Sequence, residues 1–115
     1  MKIGIIKDFK GQHQILVDAC TDLGVNFEIV DIISNNWIEN VRNSNCDGFI
    51  IKPPGRRDVW KRMYDEKLYF INKSMGYQIY PSYEEIFLYE NKRVMSYWLK
   101  MHCINAPRTW VFYDK

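Results

Sequence analysis

Cysteine and histidine are scarce in this chain, and their spacing is unlike that of a metal site. The three cysteines, Cys20, Cys46 and Cys103, form no CxxC pair, and His13 and His102 have no acidic or thiol partner at helical or strand spacing. A zinc site needs such spacings, and a disulfide framework needs an even set of cysteines. We therefore expect no bound metal, no disulfide framework and a reducing compartment.

Long apolar runs are also missing. The first residues, MKIGIIKD, hold only a short apolar stretch before a charge. A signal peptide needs an apolar region of about 7–15 residues, and a membrane span needs about 20. These limits predict a cytoplasmic protein that has no membrane partner.

Neither sign of charge dominates the chain. Sixteen Lys and Arg face fourteen Asp and Glu, which gives a formal net charge of +2. A protein that binds a polyanion through its overall charge is usually far more basic. We expect no nucleic-acid partner.

Familiar catalytic motifs are absent too. The sequence contains no GxGxxG, no Walker loop, no HExxH and no Ser-His-Asp pattern. The adjacent acids Glu84 and Glu85 fit the charge preference of a helix N-terminus better than an acid/base pair. The chain by itself therefore shows no catalytic residues.

The apolar residues that are present alternate between strand and helix patterns. Apolar, strand-like runs occupy residues 2–7, 26–32, 47–52 and 77–81, and helical periodicity fills the intervals. Such alternation predicts one α/β domain with a Rossmann-like, three-layer architecture around a mostly parallel four-stranded sheet. The expected strand order is 2-1-3-4.

Several residues mark where the helices begin and end. Ser82 and Glu85 fit a capping box, and Asn91 suits the N-cap of the following helix. Gly24 and Gly76 suit helix C-termini. A long helix is expected from Asp58 to Gly76.

The segment TWVFY, residues 109–113, does not belong to this alternation. It predicts an orphan C-terminal strand in which Trp110 and Phe112 lie on one face and Thr109, Val111 and Tyr113 on the other. Both faces are apolar enough to expect cover, and nothing downstream supplies it.

Polar residues after the first and third strands are the candidate substrate-binding groups. A parallel sheet binds ligands beyond the carboxyl ends of its strands. Lys7 and Asp8 follow the first strand, where Lys10, Gln12 and His13 add further polar groups beside a helix N-terminus. Lys52, Arg56 and Arg57 flank a rigid Pro-Pro-Gly turn after the third strand, suited to a carboxylate or phosphate.

The last third of the chain carries a recognisable pattern. In SYEEIFLYENKRVMSYWLKMHCINAPRTWVFYD, the pair Asn91-Lys92 opens a helix of the form KxxxxxxLxxxxIxxPxT, with Leu99, Ile104, Pro107 and Thr109 at the remaining motif positions. Over residues 82–113 the segment resembles the junction between the two parts of an ATP-grasp ligase. Asn91 stands where the family more often has Asp, and Met101-His102-Cys103 stands where a glycine-containing turn is frequent.

The resemblance implies a division of the chain and a role for one lysine. Residues 1–89 would be the Rossmann-like pre-ATP-grasp domain, and residues 90–115 would be the linker helix and first strand of an ATP-grasp domain that continues beyond position 115. In that family the lysine at the place of Lys92 commonly reaches the nucleotide phosphates. An ammonium group at a helix N-terminus suits a polyphosphate.

The function implied is that of an N-terminal substrate-binding domain in an ATP-dependent carboxylate-amine ligase. The full enzyme would use ATP and Mg²⁺ to form an acyl phosphate and pass it to an amine, giving a C–N bond. Its partners would be the downstream ATP-grasp domain and a small carboxylate or amine substrate. Residues 1–115 alone would bind neither cofactor and would be inactive.

Two alternatives remain open at the level of sequence. A small flavodoxin-like regulatory module has Asp8 and Asp31 available, but Lys52-Pro53 occupies the place of a phospho-acceptor aspartate. The N-terminal half of a glycosyltransferase would be Rossmann-like as well, with Trp37, Trp60 or Tyr83 stacking on a sugar or base.

The unpaired final strand also carries an expectation about assembly. An apolar strand edge in water promotes association. We expect residues 108–113 to pair with a second copy, forming a homo-oligomer, or to fold back on the chain.

Overall fold

The sheet is built from four short strands in the order that the sequence predicts. The computed structural model describes residues 1–55 and 57–114. Within them, β1 (Ile3–Ile6), β2 (Phe27–Val30), β3 (Gly48–Ile50) and β4 (Gln78–Tyr80) form one sheet of order β2-β1-β3-β4. All three pairings are parallel. The predicted α/β fold and strand order are thereby confirmed, and the topology is compatible with a Rossmann-like domain.

Five α-helices connect or follow these strands in the described part of the chain. They are α1 (Gln14–Leu23), α2 (Trp37–Asn43), α3 (Asp58–Tyr69), α4 (Tyr83–Leu88) and α5 (Lys92–Met101). The predicted long helix from Asp58 is α3, which continues through a π-helical turn, Phe70–Ser74, before the left-handed Gly76 ends it. The amide of Met75 donates to the Phe70 carbonyl at 2.8 Å, the wider spacing that defines such a turn.

The main core lies between one face of the sheet and three helices. Neighbouring residues of a strand point to opposite faces, and Ile6 belongs to this core whereas Ile5 is buried outside it. Val41 of α2, Leu68 of α3 and Ile86 of α4 pack on the Ile6 side. The right-handed crossover rule then assigns α1 to the Ile5 side.

One close side-chain contact joins the two central strands, β1 and β3. Gly4 of β1 is paired with Phe49 of β3, and a Cβ atom at Gly4 would lie 2.3 Å from the Phe49 ring. Because Gly4 has no Cβ atom, the Phe49 ring can lie directly over β1 within the core.

Both predicted N-caps are confirmed. The Ser82 hydroxyl accepts from the Glu85 amide while the Glu85 carboxylate accepts from the Ser82 amide, which is the complete capping box of α4. The Asn91 side chain accepts from the Val94 amide at 3.2 Å. Lys92 is consequently the first residue of α5.

The C-terminus of α5 has the geometry of a glycine-containing turn without the glycine. Cys103 adopts the left-handed conformation, with φ of 54°. The amide of Cys103 donates to the Lys100 carbonyl, and the amide of Ile104 donates to the Leu99 carbonyl at 3.0 Å. These two bonds are those of a Schellman motif. The helix therefore ends at Met101-His102-Cys103 in a turn that has cysteine at the left-handed position, where glycine is common in proteins.

The predicted C-terminal strand is not formed. Residues 109–113 pair with no strand of the described chain, and the edge strands of the sheet are β2 and β4. The segment lies beside α5 instead. The Tyr113 hydroxyl is 2.6 Å from that of Tyr97, and Arg93 lies over the Tyr113 ring at 5.6 Å. This fold-back leaves Trp110 and Phe112 69% and 76% exposed.

Candidate functional site

The loops that follow β1 and β3 meet at one edge of the sheet, as expected for parallel neighbours. Lys7 follows β1 directly and Lys52 lies two residues beyond β3, and both side chains are exposed. Arg57 is exposed as well and precedes α3. Arg56, which the sequence also nominates, lies outside the described residues. The carboxyl edge of β1 and β3 therefore carries three described cationic side chains open to a ligand.

Asp8 has a different environment from these cations. Its residue is only 5% exposed, and its Oδ1 accepts from the amides of Lys10 and Gln12, each at 2.9 Å. His13 Nδ1 lies 3.6 Å from the same oxygen and accepts from the Asp8 amide. The carboxylate is thus used to shape the loop between β1 and α1.

A buried tyrosine ties this loop to α3. The Tyr64 hydroxyl donates to the Lys7 carbonyl, and the residue is fully buried. Burial, followed by the nearby carboxylates of Asp8 and Asp31, raises the pKa of Tyr64 above its ordinary value. The hydroxyl therefore remains a donor, which keeps the end of β1 in place.

The aromatic residues suggested as sugar or base platforms are mostly engaged within the fold. Trp60 stacks on Phe9 with ring centroids 4.4 Å apart, and Arg57 lies over the Trp60 ring at 5.0 Å. Trp37 packs against the core beneath Lys67, whose Nζ is 5.4 Å from its ring. Tyr83 lines a cavity of about 750 Å³, and Trp37 lines another of about 460 Å³.

Gly55 brings the loop after β3 against the junction between α4 and α5. A Cβ atom at Gly55 would lie 2.6 Å from Cγ of Glu90 and 3.3 Å from the Tyr89 ring. Lys92 comes two residues after Glu90, at the start of α5. The resemblance-based residue Lys92 and the loop after β3 are therefore neighbours in the fold, although their sequence positions are about 40 apart.

A cavity of about 750 Å³ opens beside this junction, between α3 on one side and α4 and the start of α5 on the other. Its volume is in the range of small-molecule sites. Lys92 and Arg93 lie at the α5 end. We call this space the α3–α5 cavity; its other lining residues are Asp58, Lys61, Arg62, Asp65, Glu66, Tyr69, Phe70, Tyr83, Phe87, Glu90 and Asn91.

A buried ion pair forms one wall of the α3–α5 cavity. Lys61 Nζ donates to both Asp65 carboxylate oxygens at 2.6 Å and to the Ile86 carbonyl at 2.9 Å, which ties α3 to the last turn of α4. Burial is the largest influence on Asp65 and raises its pKa, while the hydrogen bond from Lys61 opposes this rise.

Another part of the cavity lining is aromatic. Tyr83 and Phe87 stack with centroids 6.1 Å apart, and Tyr69 meets Tyr83 edge-on at 5.7 Å. Burial, with Asp65 as the next contributor, raises the pKa of Tyr83. The cavity therefore combines charged groups from α3 and from the start of α5 with aromatic side chains from α3 and α4.

The sequence nominates Lys92, which lines this cavity, but it does not indicate the cavity itself. Lys61 lies three and seven residues before Tyr64 and Leu68, on the buried face of α3. A lysine on a buried face with Asp four residues later is the signal that would have indicated a buried pair. Nothing in the sequence alone reveals that α4 leaves a space beside this pair.

Metal and membrane features can be stated for the described residues. Residues 1–55 and 57–114 contain no cluster of three or more His, Cys, Asp or Glu side chains arranged for a metal ion. None of their helices has the length and apolar character needed to cross a bilayer. Cys20, Cys46 and Cys103 are all free thiols.

Comparison with known proteins adds no relative. No family model, no curated protein and no solved structure matches this chain significantly.

Proposed function

We propose that this chain is the pre-ATP-grasp domain of an ATP-dependent carboxylate-amine ligase, with α5 as the helix that leads into the ATP-binding part. The observation that carries the proposal is the exposure of α5 and the segment after it. No side chain of α5 is buried, although the helix has an apolar stripe, and Trp110 and Phe112 beyond it are largely exposed. Residues 109–113 would become a strand when they pair with the downstream domain.

The size of the exposed surface supports a missing partner. A compact monomer of 13.9 kDa is expected to expose about 6,700 Å², whereas this chain exposes 8116 Å². The excess of about 1,400 Å² is larger than the ~800 Å² that each partner contributes to a standard interface. The radius of gyration, 15.9 Å, likewise exceeds the ~13 Å expected of a compact chain of this length.

Lys92 fits the phosphate-binding role that the resemblance implies. It is exposed, stands in the first turn of α5 and borders the α3–α5 cavity, so its ammonium group and the helix N-terminus are on the same side. When bound, ATP with Mg²⁺ would activate a carboxylate for attack by an amine. Residues beyond position 115 would supply the metal ligands.

The cationic side chains at the carboxyl ends of β1 and β3 would bind the substrate and not the nucleotide. Lys7, Lys52 and Arg57 are exposed beside the loop that Gly55 presses against the α4–α5 junction. A substrate carboxylate held there would lie near the start of α5, where Lys92 holds the phosphate. Asp8 would contribute by holding the conformation of the loop between β1 and α1.

We also propose a cytoplasmic location, where the free thiols stay reduced and ATP is available.

The test uses the reading frame extended past codon 115. The longer protein is expected to release phosphate from ATP only when a carboxylate and an amine from a substrate panel are both present. Lys92→Ala should raise the KM for ATP at least tenfold, while Lys100→Ala, at the other end of α5, should leave it unchanged. Residues 1–115 alone should show no ATPase activity. Turnover by the short chain that depends on Lys92, or a reading frame without a further domain, would overturn the proposal.

A second measurement concerns the exposed segment in the short chain. We propose that residues 108–113 mediate self-association when the downstream domain is missing, because unpaired apolar backbone promotes pairing. Light scattering should give a larger mass for residues 1–115 than for residues 1–106. Identical monomer masses would contradict this.

A further inference from the structure

The charges that line the α3–α5 cavity balance one another. Among the described residues they comprise four cations and four carboxylates: Lys61, Arg62, Lys92, Arg93, Asp58, Asp65, Glu66 and Glu90. Two of the pairs are already joined, since Lys61 binds Asp65 and Arg62 binds Asp58 along α3. The cavity therefore keeps two cations and two carboxylates available to a ligand.

These four remaining groups are accessible. Lys92, Arg93, Glu66 and Glu90 are all exposed and form no ion pair within 4.0 Å in the described part of the chain. A ligand that carries a single charge would meet groups of its own sign as well as of the opposite sign. A zwitterion offers each sign a partner, and hydrogen bonds between charged groups are the strong ones.

The aromatic part of the cavity adds a preference for a planar apolar group. Tyr83 and Phe87 form a stacked pair, and the adjoining Tyr69 and Phe70 are about half exposed. Ligand pockets are commonly lined by aromatic side chains together with a few polar groups. A further ring can stack or pack edge-on against them.

We propose that the α3–α5 cavity binds an α-amino acid with an aromatic side chain. The ring would pack on Tyr83 and Phe87, the ammonium group would bind Glu66 or Glu90, and the carboxylate would bind Arg93. Arg93 is exposed, lines the cavity and has its guanidinium carbon 5.6 Å from the centre of the Tyr113 ring. The inference goes beyond the proposed ligase function and requires neither ATP nor a downstream domain.

The experiment measures binding of four probes to the 115-residue chain by calorimetry or NMR titration. The probes are L-phenylalanine, 3-phenylpropionate without the amine, phenethylamine without the carboxylate, and L-alanine without the ring. Phenylalanine should bind at least about tenfold more tightly than each of the others, because every analogue leaves one set of cavity groups without a partner. Equal affinity for all four probes, or no binding of phenylalanine, would overturn the proposal.

Three variants assign the contacts. Glu66→Gln should weaken phenylalanine severalfold and leave 3-phenylpropionate unchanged, and Arg93→Gln should weaken phenylalanine and leave phenethylamine unchanged. Phe87→Leu should weaken all ring-bearing probes. Both charged residues are exposed, so circular dichroism should show unchanged folding.

Matched controls lie outside the cavity. Glu39→Gln on α2 and Lys100→Gln at the far end of α5 remove the same charges and should leave phenylalanine binding unchanged. An equal loss in these controls would mean that overall charge, and not the cavity, governs binding, and would refute the assignment. Since Lys92→Ala in the longer protein tests ATP use separately, failure of one proposal can be distinguished from failure of the other.

Discussion

The buried Lys61–Asp65 pair gives the sharpest prediction about stability. Replacing Lys61 with Met keeps most of the length of the side chain and removes its charge. Asp65 then loses two hydrogen bonds of 2.6 Å, and the Ile86 carbonyl keeps only the Tyr89 amide as a donor. Removal of one partner from a buried pair costs about 3–5 kcal/mol, and the Asp65 side chain is 15% exposed. We expect about 3 kcal/mol at pH 7.

A loss of this size is easily measured. With an unfolding entropy of ~2.1 cal/mol/K per residue, 3 kcal/mol corresponds to a fall in Tm of about 12 °C. Because the total stability of a small domain is about 5–15 kcal/mol, the Lys61→Met protein should still fold. Urea unfolding followed by circular dichroism gives the free energy of unfolding directly.

The pH dependence provides the second readout. Burial raises the pKa of Asp65 in the folded protein, so ionised Asp65 disfavours the folded state. The stability that protonated Asp65 contributes is complete below its unfolded pKa and is lost as the pH rises through the folded pKa. Without Lys61 the folded pKa rises further. The deficit of Lys61→Met should therefore shrink as the pH is lowered from 7 to 4.

A matched control lies one residue away. Arg62 pairs with Asp58 at the same spacing on the same helix, but these two side chains are 66% and 83% exposed. Arg62→Met should cost less than about 0.5 kcal/mol, since exposed pairs contribute little. The reasoning would be refuted if both variants lost the same stability, or if the Lys61→Met deficit were independent of pH.

Three further changes test the cap, the core and the loop. Asn91→Ala should cost about 1 kcal/mol of α5 stability, seen as faster amide exchange in its first turn, and Asn91→Asp should retain the cap. Gly4→Ala should destabilise by about 1–3 kcal/mol in urea unfolding because its Cβ meets Phe49, and Phe49→Leu in the same chain should recover part of the loss. Tyr64→Phe should cost about 1–2 kcal/mol, since the Lys7 carbonyl loses its buried donor, with the loss seen in thermal unfolding. Unchanged amide exchange in the first turn of α5 for Asn91→Ala, or an unchanged stability of Gly4→Ala or Tyr64→Phe, would contradict the corresponding contact.

Local signals in the sequence account for most of the fold. The alternation of apolar runs with helical periodicity predicts the strands and their order, because parallel strands need crossovers and crossovers have one hand. The caps at Ser82 and Asn91 are equally local, since each depends on residues three positions apart. Such features are decided within a few residues of chain.

Features that depend on distant groups could not be predicted in the same way. The hydrogen bond from the Tyr64 hydroxyl to the Lys7 carbonyl joins two residues far apart in the sequence, and no local pattern indicates it. The strand predicted at residues 109–113 has suitable residues, but it pairs with no strand among residues 1–55 and 57–114. A strand is a property of two segments, so its sequence is necessary and not sufficient.

The stability of α5 likewise depends on a second segment that packs against it. A helix of 10 residues is marginal in water, because nucleation is costly and most helix stability in proteins comes from packing an apolar face. Here Asn91 caps one end and the turn at Cys103 closes the other, while no side chain between them is buried. Caps contribute about 1 kcal/mol each, which does not replace a packed face. The proposed downstream domain would supply that packing, so amide exchange in α5 should be fast in residues 1–115 and at least about tenfold slower in the longer protein, while β1 should exchange slowly in both.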